Sequence, residues 1–178
     1  MTKMNKKTQK KGFTLIEILI YIMLAAIILV AAINLEVSVS RGEQKAQQNH
    51  ELYINAQMVI NQIGRKIREA DDVAADLSTF NANPSALVLD YPGTGTDVIL
   101  DTYQKEIMRG TTPVTITKLR ITEGAESPID ITGDNVDVTN FTLSDLTILG
   151  NKNNIGIALT LARQDTSFSL ETAISVRK

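Results

Sequence analysis

The run from Phe13 to Ile33 constrains this chain more than any other feature. It is 21 residues of almost unbroken apolar sequence with a single charge, Glu17. As an α-helix it would measure about 31 Å, enough to cross a bilayer's hydrocarbon layer. A secretory signal cut near Val30-Ala31-Ala32 would have a shorter apolar core, about 7–15 residues. A plain uncleaved anchor has no use for a carboxylate, because a charge in mid-bilayer costs about 2.5–3.5 kcal/mol. The sequence therefore predicts a membrane-length helix in which Glu17 has a partner and a task.

The twelve residues ahead of this run hold Lys3, Lys6, Lys7, Lys10 and Lys11 and end in Gly12. Lysines before a span keep that end in the cytoplasm and send the bulk of the chain across. The whole chain has 18 basic and 20 acidic residues. Without the leader's five lysines, 13 basic residues face 20 acidic ones, a formal −7. No basic stripe is visible, so nucleic-acid binding is not expected. There is no cysteine, which excludes disulfides, thiol nucleophiles and thiolate metal sites. A length of 178 residues suits one small domain plus an anchor.

Four segments follow from the pattern: a leader at 1–12, an apolar helix at 13–40, an amphipathic stem helix at 41–75 and a β-rich domain at 76–178. In the stem, Leu52, Ala56, Val59, Ile63, Ile67 and Ala70 recur at steps of three and four. No proline interrupts residues 13–83, so one helix can run through both helical segments. Gly42 and Gly64 are its weak points, each costing about 1 kcal/mol relative to alanine. Beyond Pro84, Ser85–Tyr91 reads as a strand, Pro92–Thr96 as a turn and Asp97–Met108 as the return strand. Val114–Thr122 begins as a strand, and Asn135–Leu149 holds one or two more. Ile155–Ala162 and Phe168–Val176 alternate strictly and form a hairpin about Arg163–Ser167. Alternation of this kind fits an antiparallel sheet with one face covered, and the stem's apolar stripe is the natural cover. The expected fold is α+β, a long N-terminal helix packed on a C-terminal antiparallel sheet.

Lys11-Gly12-Phe13-Thr14-Leu15-Ile16-Glu17, opening a membrane-length helix, resembles the processing motif of type IV prepilins and type II secretion pseudopilins. The resemblance implies cleavage after Gly12 by a prepilin peptidase/methyltransferase and N-methylation of Phe13. It further implies an inner-membrane assembly platform and extraction from membrane lipid into a helical fibre of pilin or pseudopilin subunits. In that family Glu17 would neutralise the new amino group of Phe13 during assembly. Ile60–Ala70 and Glu171–Arg177 are similar to the stem end and C-terminus of minor pilins and J-class pseudopilins. Many major type IV pilins have a proline where this chain has Asn34.

Other constellations carry less. His50 precedes Glu51, but it is the one histidine in the chain, so no H-E-x-x-H zinc site exists. Gly93–Thr96 lacks the Gly-Lys-Ser/Thr ending of a phosphate loop and reads as a turn. Asp130, Asp134, Asn135 and Asp137 would suit calcium by donor type, but their spacing fits no EF-hand loop, and solvated turn acids are the plainer reading. Arg65, Lys66 and Arg68 suit the C-terminal end of a helix. No catalytic triad can be drawn around the single histidine. The expected role is structural, with no cofactor and no catalysis. The alternatives are an uncleaved, membrane-anchored binding domain that does not polymerise, and a tethered hydrolase.

Overall fold

A computed structural model describes residues 12–91, 97–147 and 153–176. The turn expected at Pro92–Thr96 and most of the leader lie outside the described residues. One helix, α1, spans Leu15–Glu69 and includes Asn34 and Gly42. The strands are β1 (Asp72–Val73), β2 (Leu87–Asp90), β3 (Val98–Arg109), β4 (Thr112–Glu123), β5 (Ile129–Asp130), β6 (Asp137–Asp145), β7 (Asn154–Arg163) and β8 (Thr166–Ser175). The chain divides into two units, one ending at Gln44 and one beginning at Lys45.

In the first unit the helix is apolar on every side from Ile18 to Ile33, and no described residue covers it. Its most apolar 18 residues have a mean hydropathy of 2.9, and none of them is buried. That is the composition of a span or of a helix packed by other molecules, and it passes the length test for crossing a membrane.

In the second unit the stem stripe does what its period predicts. Leu52, Ala56, Val59, Ile63 and Ile67 are fully buried, while Asn61, Arg65 and Arg68 are exposed. They share one core with Leu87, Leu89, Leu100, Leu119 and Ile121 on one side, and Phe141, Leu143, Ile155, Ile157, Leu159 and Leu161 on the other. Each such aliphatic side chain contributes about 1.5–3 kcal/mol on burial. Gly64 faces the sheet: a Cβ there would lie 2.9 Å from Ile174 Cδ1, so a side chain would require the end of Ile174 to move. At the far end of the helix Tyr91 donates its hydroxyl to the Lys66 carbonyl at 2.9 Å, which also accepts the Ala70 amide at 3.1 Å. Burial, with Glu69 and Glu123 nearby, pushes the Tyr91 phenol up to about 12.

The β region forms two antiparallel sheets where the sequence suggested one. β1 to β5 lie in chain order in a five-stranded sheet, and β6-β7-β8 form a three-stranded one. Side chains, not ladders, occupy the facing edges. Asp137 accepts the Thr117 amide of β4 at 2.8 Å, and the Thr132 hydroxyl accepts that of Leu119 at 3.3 Å. On the outer edge of β6, Asn83 and Ser85 accept the amides of Phe141 and Leu143 at 3.1 and 3.0 Å. The Asn81 and Ser85 amides return bonds to the Leu143 and Phe141 carbonyls at 2.7 and 2.8 Å. An edge capped this way cannot accept a further strand, so the sheet stops there. Among the described residues between Asn135 and Thr147 there is one strand, β6.

Candidate assembly site at the start of the helix

Gly12, Phe13 and Thr14 precede the first helical residue, and all three are exposed. Thr14 sits at the N-cap. Its hydroxyl accepts the Glu17 amide at 3.3 Å, and its carbonyl begins the helical ladder with bonds from Glu17 and Ile18 at 3.1 and 3.2 Å. Thr14-Leu15-Ile16-Glu17 has the capping-box spacing, threonine at the cap and glutamate three residues on. Thr14 is hard to recognise as a cap from sequence because it lies within the apolar run.

Glu17 is the acidic residue of the first turn, where the helix dipole presents its positive end. It is half-buried by its neighbours, whereas Leu15, Ile16 and Ile18 around it are exposed. The Phe13 ring meets Tyr21 edge to face at 6.4 Å between centroids. Among the described residues a Cβ on Gly12 would meet nothing within 4 Å, and its backbone is not in the left-handed region. The described residues therefore set no steric demand for glycine at position 12.

Several of the acidic groups singled out in the sequence have structural partners. Asp130 accepts the Tyr103 hydroxyl at 2.7 Å and the Lys105 ammonium at 3.3 Å. Burial acts to raise its pKa, but these two bonds outweigh it and hold the carboxyl below its ordinary value. The same bond to Asp130 raises the Tyr103 phenol. Asp137 caps β4 as described, and Asp134 is exposed. No group of three or more metal-ligating side chains gathers among the described residues. A second cation in this region, Lys118, is fully buried, with its ammonium 2.8 Å from the Thr132 carbonyl and 2.5 Å from that of Gly133. Asp134 lies 3.8 Å away. Burial lowers the lysine's pKa. Little in the sequence signals this, since Lys118 interrupts an alternating strand like any solvated lysine. His50 is exposed on the stem.

Residues 7–33 match the family model of the prokaryotic N-terminal methylation motif. No curated protein and no solved structure matches the chain.

Proposed function

We propose that this chain is a structural subunit of a type IV pilus-like or type II secretion-like fibre, of the minor pilin or pseudopilin kind. Residues 1–12 are a cytoplasmic leader, 13–40 the membrane and assembly helix, 41–75 the stem and 76–178 an extracytoplasmic domain. A prepilin peptidase/methyltransferase cuts after Gly12 and methylates Phe13. The subunit then leaves the inner membrane through an assembly platform and packs among sibling subunits.

The observation that carries this reading is the start of α1: a capped, uncovered apolar helix whose one charge sits four residues past Phe13. Cleavage would create a cationic amine at Phe13, next to the positive end of the helix dipole. In a low-dielectric bundle, an isolated amine and an isolated carboxylate each lose less by pairing. Glu17 of one subunit is thus the natural partner for the Phe13 amine of another. Gly12, which the fold does not require, fits a requirement imposed by the peptidase. The matched methylation motif supports the same chemistry at Phe13.

Intact-mass analysis of the chain from a host with prepilin peptidase should show loss of residues 1–12 and gain of one methyl group. In the same host Glu17→Leu should insert and be cleaved, yet be missing from sheared fibres. A chain that keeps its leader while sibling prepilins lose theirs would sink the proposal. It would leave the uncleaved anchored binding domain in its place.

A further inference from the structure

The stem carries a second uncovered surface on the side of α1 turned away from the sheets. Ile54 and Met58, one helical turn apart, are 43 % and 52 % exposed. Asn61, Arg65 and Arg68 continue that face and are exposed. None of the ion pairs among the described residues uses Arg65 or Arg68, although Glu69 lies four residues from Arg65; the neighbouring Lys66 is held by Glu123 at 2.7 Å. Below Gln44, a shallow groove along the helix is lined by Ala32, Leu35, Val39 and Ser40 with two carboxylates, Glu36 and Glu43. These acids are exposed and also take part in none of those ion pairs. Arg41 is two positions from Glu43 and so points around the other side of the helix.

We infer that, in the fibre, Arg65 and Arg68 of one copy dock against Glu36 and Glu43 of a second copy of this chain, with the two helices parallel. The inference rests on the fibre reading and adds the partner surface and its register. The acids lie seven residues apart and the arginines three. Bringing each arginine within one helical turn of its own acid fixes the stagger at about 25–29 residues, roughly 38–44 Å of helix.

Apolar matching, which did not enter that arithmetic, agrees with it. At this stagger Ile54 lies level with a residue between Ala25 and Leu29, and Met58 with one between Leu29 and Ile33. Every residue from Ala25 to Ile33 is apolar. The exposed hydrophobic pair therefore meets only hydrophobic helix, while both arginines meet acid. A stagger shorter by one turn would bring Met58 close to Glu36 and leave that acid without an arginine. A second copy supplies both halves of the contact, and a subunit with stem and span each uncovered can repeat it along a fibre.

The chain's lack of cysteine makes the test clean. Two differently tagged full-length copies, one with Arg65→Cys and one with Glu36→Cys or Ser40→Cys, should cross-link in assembled fibres into a species bearing both tags. Gln47→Cys, outside the register, should not cross-link to Arg65→Cys. Arg65→Glu with Arg68→Glu should reduce incorporation about tenfold. Adding Glu36→Arg and Glu43→Arg should restore it. Wild-type fibres with no 65–36 or 65–40 cross-link overturn the register while leaving the fibre reading intact, as does a cross-link found only with a sibling subunit. Absence of the wild-type chain from fibres overturns both.

Discussion

Lys118→Met is the substitution that most directly tests how the loop between β5 and β6 is held. Methionine keeps the unbranched stem of the lysine and removes the ammonium. Two carbonyls lose their donor: that of Thr132, which is buried, and that of Gly133, which is partly open to water. A buried acceptor left unpaired costs about 1–3 kcal/mol, and the Gly133 carbonyl can recover part of its loss from solvent. Against this, removing a buried charge returns some desolvation energy, in keeping with the lysine's lowered pKa. The net expectation is a loss of about 2 kcal/mol, or roughly 6–10 °C in Tm for a domain of this size. The assay is thermal and urea unfolding of the fragment beginning at Lys45. A second readout comes from pH. The folded pKa of Lys118 lies below its ordinary 10.5, so between the two values the unfolded chain holds a proton that the folded chain does not. Stability of the wild type should therefore rise with pH across that window relative to Lys118→Met. Taking the difference between the two proteins cancels Tyr91 and Tyr103, whose raised values act in the opposite direction. A variant as stable as the wild type, with the same pH slope, would refute the assignment of Lys118 as the loop's internal cation.

Ile63→Asp places a carboxylate where the structure has a fully buried side chain between the two sheets. It should cost at least about 3–5 kcal/mol in urea unfolding, and an unchanged midpoint would mean the stem does not cover the sheets. Asp130→Asn should cost about 1 kcal/mol or less at pH 7, because its partners are partly exposed. With a lowered folded pKa, Asp130 contributes above its ordinary 3.8, and that contribution is lost as pH falls through the folded value. The variant should therefore show a flatter decline in stability below about pH 4, and an identical acid limb would remove Asp130 from the account.

Much of the fold could be read from spacing. The stem stripe from Leu52 to Ile67 has helical period, and β7 and β8 alternate so strictly that their inward residues are evident. Such features are local, and period alone determines them. The division into two sheets is not local. It depends on Asn83 and Ser85 capping a strand more than fifty residues away, and on Asp137 and Thr132 closing the edge of β4. No pattern in the sequence distinguishes those polar side chains from ordinary loop residues. The same limit applies to the acidic cluster. Asp130, Asp134 and Asp137 are neighbours in sequence, but the chain turns them to three different environments and places an ammonium beside the loop's carbonyls. The N-terminal motif was legible because its residues are contiguous. Its cap at Thr14 needed the helix start to be known first.

The exposed apolar surface leaves one question that Glu17 answers. Eighteen of the 26 large hydrophobic residues exposed on the described chain fall between Phe13 and Val39. Lipid tails are as apolar as leucine, so burial in a fibre core offers those side chains little that the bilayer does not. Hydrophobicity alone therefore gives the helix no direction between membrane and fibre. A carboxylate does, because it distinguishes an environment with a fixed cation from one without. Held alone in lipid, Glu17 costs about 2.5–3.5 kcal/mol by insertion scales; beside an amine carried by another subunit, much of that cost is relieved. Under the proposed processing, the bias would act once per subunit and only when a second processed chain is present, so it would favour ordered addition over aggregation of unprocessed chains. The proposed leader would then have a further consequence: until Gly12–Phe13 is cut there would be no amine for Glu17 to meet, and the apolar helix would stay in the bilayer.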